Sequence, residues 1–578
     1  MDLEKKDWAI IILAVLAVAS IAGNGILLLL PAAQQAPDLG VTLVFGTMSG
    51  PADLDPMDAW DSASSNVHDQ VCEGLYLYNL TDPNLAIIPA LAADYGHWDL
   101  TGSKPVYQVD LRQDVWFHDG TKFDATAAKW NLDRYANLMD LGLAKAAELY
   151  EYYDPATDDF INIIDSVTKT GDYSLNITCN VQYGPIEAIL SFNAMYMVSP
   201  ASTPFDEVLD TATGDLVGTG PFVYDGYEAG VEIRFHAWDY YYKPRAKIDT
   251  LIFSVINDAQ IRNNALLSED IDILLDPMGS MLATFDAEPD VELYTDANPG
   301  LSVQYLGMNS FWINTTFRKA FSYALNYSFI IEELLEGQAV RLKSPIPNGI
   351  TYANDGYEVA TYNVTKAREL MVSMGYGSMA WTDVQWNAAS FATFNYTYNI
   401  GNDMRENMLS VLTDNLGAIG IEVEDAGGTW ANFIYSLYEL GGRFRDQVQI
   451  YWLGWIPDYN DPSNYINPLF TNRSVASNGA KYNGYLSAIE DGRDPLLLND
   501  NVQLLMETAL LEPNGPTRQG YYDRIQELLV ERDMPWAYGY TAINNDAWNI
   551  KVKGYPSNAM GRAYFYPVYW DDATLYAQ

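Results

Sequence analysis

The sequence predicts a mixed α/β protein of more than one lobe, set behind an N-terminal membrane-spanning helix. Three observations predict it. The chain has 578 residues, beyond the size at which one hydrophobic core keeps growing, so two or three lobes are expected. Short β-type runs alternate with amphipathic helices and turn-rich connectors along most of the length, which is the pattern of an α/β fold. Residues 8–30, WAIIILAVLAVASIAGNGILLLL, are almost uninterruptedly apolar, and a helix of about 20 such residues crosses a bilayer.

Lys5 and Lys6 precede the apolar stretch, and Asp38, Asp53, Asp55 and Asp58 follow it. The positive-inside bias therefore puts Met1 in the cytoplasm and the bulk of the chain outside the cell, with residues 1–37 as membrane anchor and linker. The rival reading is a signal peptide cleaved near Ala32 and Ala33, although a cleavable apolar core usually runs to about 7–15 residues. No cysteine stands directly after the stretch, where PAAQQAP follows, which excludes a lipoprotein anchor. N-x-S/T sequons begin at Asn79, Asn176, Asn314, Asn326, Asn363, Asn395 and Asn472. They fit an exposed cell-surface glycoprotein, with Asn326 expected inside a helix.

Strand-type runs follow at 41–47 (VTLVFGT), 107–111 (YQVDL), 173–181 (YSLNITCNV) and 231–238 (VEIRFHAW), each with the period-2 alternation of a half-buried strand. Helical periodicity is clearest over 314–337, where Thr315 or Thr316 is expected to cap the start and Gly337 the end. Phe317, Phe321, Ala324, Ile331 and Leu335 should form its buried face. A second helix over 403–420 stripes Met404, Met408, Val411 and Leu412, methionine there being core filler. A third, over 517–533, stripes Tyr521, Leu528 and Leu529 and is stopped by Pro535.

Hydrophobic residues make up 49% of the chain and the formal charge is −44. The first argues for packed cores rather than disorder; the second repels phosphate backbones and disfavours a nucleic-acid partner. Cys72 and Cys179 cannot make a four-ligand zinc site, and either a disulfide or two buried thiols is open. The histidines are His68, His97, His118 and His236, none in a metal-ligand or nucleophile-elbow setting. His118, in WFHDG, reads as a turn residue. No phosphate-binding loop appears, so catalysis, a metal or a cofactor is not expected.

Six segments, taken in order, resemble the oligopeptide- and dipeptide-binding proteins of the extracellular solute-binding family 5 of ABC transporters. GTMSGPADLDP (46–56) resembles that family's opening strand and "LDP" turn. LRQDVWFHDGTKFDATAAKW (111–130) resembles its signature, departing from it at Asp114 and around 124–126. VGTGPFVYDGY (217–227) is similar to its "GTGPY" turn and strand. FRKAFSYALNYSFIIEELLEGQA (317–339), YNVTKARELMVSMGY (362–376) and YWLGWIPDYNDPSNYINPLF (451–470) resemble its later helices and its "W-x-A-D-Y" segment. The resemblance implies a two-lobed Venus-flytrap fold, the periplasmic-binding-protein type II arrangement, with an extra inserted subdomain. By analogy, lobe I covers 38–75, 199–301 and 541–578, the insert 76–198 and lobe II 302–540, with crossover strands at 301–309 and 535–541.

The resemblance also implies a site. Asp458 matches the aspartate that receives a peptide's α-ammonium group, a role a buried carboxylate suits because it needs a cationic partner. As a plain turn or capping aspartate it would do neither. Gly454, Trp455 and Ile456 should present free backbone groups to an extended peptide, while Trp452, Trp455 and Tyr459 could instead stack on sugars. Trp452, on the alternate face, is expected to be buried. Met48 and Ser49 would form the opposite wall. The implied function is capture of an oligopeptide, or alternatively an oligosaccharide, and its delivery to membrane permease subunits. A non-transport surface glycoprotein and a hydrolase are the readings from other classes.

Overall fold

The computed structural model describes residues 40–82, 85–144, 150–154, 159–183, 185–295, 299–438, 448–457, 459, 461–472, 478–512 and 515–572. The apolar stretch 8–30 and the linker after it lie outside these residues. Among the described residues no helix is long and apolar enough to cross a membrane.

Two large sheets dominate. The 7-stranded sheet runs Phe222–Glu228, Glu232–Ala237, Thr250–Val255, Thr42–Thr47, Ile273–Leu275, Asn545–Asn549 and Val291–Thr295. Thr42–Thr47 lies at its centre, parallel to both neighbours. The 6-stranded sheet runs Ala339–Arg341, Trp536–Ala542, Val303–Met308, Ile450–Trp455, Ala392–Asn399 and Ile421–Gly428. A 4-stranded antiparallel sheet, His97–Asp99, Val106–Asp110, Ser174–Cys179 and Ile164–Gly171, packs against the helix Ala125–Asp140 as a third layer. The segments expected to cross between lobes both become neighbouring antiparallel strands of the 6-stranded sheet, Val303 facing Thr541. The chain passes between the two large sheets just beside them, where the Gly300 amide donates to the Ala542 carbonyl at 2.9 Å.

Side-chain alternation explains the strands. In Glu232–Ala237, Ile233, Phe235 and Ala237 are buried while Arg234 and His236 are exposed, as the two faces of a pleated strand require. Phe235 meets Phe253 with ring centroids 5.0 Å apart, and Phe253 meets Phe45 at the same distance.

The turn Leu54-Asp55-Pro56 is anchored from below. Asp55 and Arg134 are 1% and 0% exposed, and their oxygens and nitrogens meet at 2.5 and 3.1 Å. Asp55 also accepts the amides of Met57 and Leu209, while Arg134 donates to the carbonyls of Pro204 and Glu207. One ion pair thus joins the opening turn, the Ala125–Asp140 helix and the 204–209 loop.

WFHDG folds as a tight turn, with Gly120 at φ +80°. Asp119 accepts from the Thr121 amide and from the hydroxyls of Ser199 and Ser202. The His118 amide donates to the Gly218 carbonyl, and His118 Nε2 donates to the Gly220 carbonyl at 3.0 Å. This is the structural role expected of His118. Gly218 is required by close approach, since a Cβ there would lie 2.0 Å from the Val71 carbonyl oxygen.

Some sequence-based expectations need correction. The first long helix is Thr315–Ala324, capped by Asn314 rather than by a threonine: Asn314 Oδ1 accepts the Phe317 amide, while Thr315 Oγ1 donates to Glu490. The helix breaks after Ala324 because the Asn326 amide turns to Asn415 Oδ1, and a separate π-helical turn follows at Phe329–Leu334. Asn326 therefore lies in a break and not within a helix. Of the two readings left open for the cysteines, the structure has two buried thiols. Cys72 and Cys179 are free and buried in different cores, where burial raises both thiols, Cys179 to about 12.

Replacing Arg134 by Met leaves Asp55 as an uncompensated buried charge. Chemical denaturation should show a loss of about 3–5 kcal/mol, and an unchanged midpoint would remove the pair from its structural role. His68 and His118 generate a pH dependence. Burial holds both at about 4, below the ordinary 6.5, so between those values the unfolded chain binds protons that the native state refuses. Stability is full above pH 6.5 and should fall as pH drops towards 4, by ~3 kcal/mol for each histidine. Thermal scans of His118→Gln across that range should show a flatter dependence than wild type.

Candidate ligand-binding site

The strand Ile450–Trp455 has two edges with different fates. One pairs along its whole length with Val303–Met308, from Met308 opposite Ile450 to Val303 opposite Trp455. The other meets Ala392–Asn399 only through Ile450 and Tyr451. Among the described residues no strand pairs with that second edge from Trp452 to Trp455, so its backbone can take an added one. Glycine is needed within it: a Cβ at Gly454 would sit 2.1 Å from Gln304 Nε2 and 2.9 Å from the Val303 carbonyl oxygen.

This edge lines a cleft with about 810 Å³ of space, partly open to solvent. Leu453, Gly454, Trp455, Ile456, Pro457, Gln304, Arg405 and Trp430 form the wall belonging to the 6-stranded sheet. Trp60, Asp61 and the first turn of the helix Ser62–Val71 form the other, with Phe192 and Arg562 at its margins. The Trp60 ring lies 6.1 Å from Trp455 and 5.1 Å from Phe192. Trp455 is held in place by its Nε1, which donates to Asn464 Oδ1 at 3.1 Å.

The charges of the cleft contrast with those of the chain. Arg405 donates to Asn399 Oδ1 and lies 5.7 Å from the centre of the Trp430 ring. Arg562 is bidentate on Asp69 at 2.8 and 2.5 Å. Asp61 caps the Ser62–Val71 helix through the Ser64 amide and accepts Ser64 Oγ at 2.6 Å. Burial raises its carboxyl above the usual range, since a low dielectric disfavours the charged form. Arg405 brings a guanidinium to one wall of the cleft, whereas that of Arg562 is already engaged by Asp69 and the Asp61 carboxyl is weakly acidic, in a chain of formal charge −44. Among the described residues no group of three or more His, Cys, Asp or Glu could hold a metal ion.

Gly454, Trp455 and Ile456 line this cleft. Trp452 is fully buried on the far face. Tyr459 does not line it: it is buried with its hydroxyl 3.2 Å from Ser463 Oγ. Met48 and Ser49 are also absent from the wall. The Ser49 carbonyl accepts Thr47 Oγ1, which folds the turn back on its own strand, and Met48 Sδ accepts Asn399 Nδ2 at 3.8 Å. Asp458 lies outside the described residues.

Arg405, Arg562, Asp61, Trp60, Phe192, Gln304 and Trp430 were not legible as site residues. Arg405 sits in a helix whose buried stripe reads as plain core, and Arg562 lies in a loop. Only Asp61 carried a signal, an aspartate before SASS in a position to cap a helix, five residues beyond the "LDP" turn.

Comparison with known proteins bears on this geometry. Residues 86–477 match "Bacterial extracellular solute-binding proteins, family 5 Middle". Heme-binding protein A of Haemophilus influenzae is 25% identical over 555 residues, covering 91% of this chain and 92% of that protein. The dipeptide-binding protein of Escherichia coli is 24% identical over 548 residues, covering 91% and 94%. The oligopeptide-binding protein AppA from Bacillus subtilis, solved in complex with a nonapeptide, superposes with a TM-score of 0.77 at 20% identity over 92% of this chain and 99% of AppA. By its sequence match along most of its length, this chain belongs to the family 5 bacterial extracellular solute-binding proteins.

Proposed function

We propose that this protein is the extracytoplasmic capture subunit of an ABC importer, closing its two lobes on an oligopeptide and delivering it to the permease. The observation that carries this reading is the unpaired Trp452–Trp455 edge inside the cleft. An extended peptide can add there as a further strand, held by its backbone whatever its side chains. Arg405 on the wall suits a ligand carboxylate, and charge-assisted bonds to guanidinium are among the stronger ones available. Heme and a dipeptide, named for two relatives, both carry carboxylates. Asp458 directly follows Pro457, a lining residue, and is assigned to the peptide ammonium. Residues 8–30 are assigned as the anchor that keeps the capture subunit beside its permease.

Asp458→Asn should keep the shape and remove the charge. Breaking one side of a buried ion pair costs about 3–5 kcal/mol, at least a hundredfold in peptide affinity at ~1.4 kcal/mol per decade. In calorimetry N-acetylated peptide should bind wild type poorly, and Asp458→Asn should hardly distinguish it from free peptide. Equal binding of both peptides by both proteins sinks the ammonium assignment. Tight binding only to neutral oligosaccharides would replace the peptide reading with stacking on Trp60 and Trp455.

The anchor is tested separately. Protease added to intact cells should digest the chain beyond Pro37 and leave a small membrane-bound N-terminal fragment. Release of the whole ectodomain into the medium with an N-terminus near Gln34 would instead show a cleaved signal.

A further inference from the structure

Two adjacent residues, Trp60 and Asp61, meet the 6-stranded-sheet side of the cleft at two different places. Trp60 faces Trp455 across 6.1 Å. Asp61 Oδ1 accepts the indole N–H of Trp430 at 3.1 Å. The partners belong to elements on opposite sides of the cleft. Asp61 caps the Ser62–Val71 helix, which packs on the Phe222–Glu228 strand of the 7-stranded sheet. Trp430 opens the helix Trp430–Tyr438, which packs on Ala392–Asn399 and Ile421–Gly428 of the 6-stranded sheet.

The bond is pre-organised on both sides. Ser64 engages both Asp61 oxygens through its amide and hydroxyl, so the carboxyl is aimed before any lobe movement. The Trp430 ring is flanked by the Arg405 guanidinium at 5.7 Å and by Phe433, whose ring centre lies 6.0 Å away. Arg405 in turn donates to Asn399 Oδ1, and Asn399 Nδ2 reaches Met48 Sδ on the 7-stranded-sheet side. Arg405 therefore stands between two contacts that cross the cleft, one through Trp430 to Asp61 and one through Asn399 to Met48.

We infer that the Trp430–Asp61 bond is an interlobe latch, and that Trp430 is a positioning residue tying the ligand-facing Arg405 to lobe closure. The inference rests on the cleft being the solute site, and it deepens that reading by assigning closure to residues that need not touch the ligand's backbone. A ligand group held by Arg405 fixes the guanidinium, the guanidinium fixes the ring it flanks, and the ring presents its N–H to Asp61. Binding and closure then favour each other through one side chain. The latch also acts without ligand, because a bond made only in the closed arrangement weights that arrangement whatever else is bound.

The test uses ligand-free full-length protein, so its outcome is independent of the peptide assignment. Spin labels at Val231→Cys, beside the Glu232–Ala237 strand of the 7-stranded sheet, and at Val384→Cys, positions 49% and 77% exposed, report the interlobe distance by double electron–electron resonance; the native thiols are buried. Trp430→Phe keeps the ring and removes the donor. Asp61→Ser keeps a capping oxygen but shortens the side chain. Each should lower the ratio of short to long distances about tenfold, the worth of one hydrogen bond to a carboxylate. The double variant should fall no further than either single one, since both remove the same bond. Unchanged distributions in the single variants, additive shifts in the double variant, or a wild type with no short-distance population would each overturn the latch.

Discussion

The buried Asp55–Arg134 pair is the constraint on which the arrangement of the molecule depends. Neither group can sit at 0–1% exposure alone, because burying a single charge is far too costly. Together they satisfy each other, and their remaining valences reach the amides of Met57 and Leu209 and the carbonyls of Pro204 and Glu207. Met57 belongs to the opening turn itself, and Pro204, Glu207 and Leu209 belong to one distant loop. The opening turn is thereby locked to the Ala125–Asp140 helix, and the turn leads within a few residues to Trp60 and Asp61. The position of one cleft wall follows from an ion pair that never touches the cleft.

The segments that resemble family signatures act in the same manner. WFHDG and GTGP, far apart in sequence, are two halves of one joint, with His118 donating to the Gly220 carbonyl and Asp119 gathering the hydroxyls of Ser199 and Ser202. Gly218 and Gly220 permit the close approach to the backbone of Val71 and Gln70. These residues carry no ligand chemistry. They are stringent because a joint made of backbone contacts tolerates few shapes, and a sheet-to-sheet cleft is only as well defined as the joints holding its walls.

Within the cleft, local charge departs from the global one. A chain with formal charge −44 repels anions at long range, yet salt screens that repulsion beyond about 10 Å. At contact distance the nearest charged side chains matter most, and Arg405 places its guanidinium on the cleft wall while Arg562 is held by Asp69. Burial weakens the acidity of Asp61 on the facing wall, so that carboxyl opposes the Arg405 guanidinium less than an exposed aspartate would.

The family resemblance of the 451–470 segment put Gly454 to Ile456 in the cleft, and by itself the sequence determined the elements whose periodicity is local: the strands at Thr42–Thr47, Val106–Asp110, Ser174–Cys179 and Glu232–Ala237, and the buried stripe of Met408, Val411 and Leu412. These depend on residues a few positions apart. The motifs also identified the family, since their order along the chain is a linear property. Tertiary structure alone decided which side chains share the cleft. Arg405 on a core-patterned helix, Arg562 in a loop and Trp60 beside a turn are hundreds of positions apart, and no periodicity relates them. It also decided that Asn314 caps its helix, because Thr315 was claimed by Glu490 from a distant element, and that Cys72 and Cys179 stay apart, because each is enclosed by a different core. Competition for hydrogen-bond partners and the assignment of a residue to one core or another are settled only when distant segments meet.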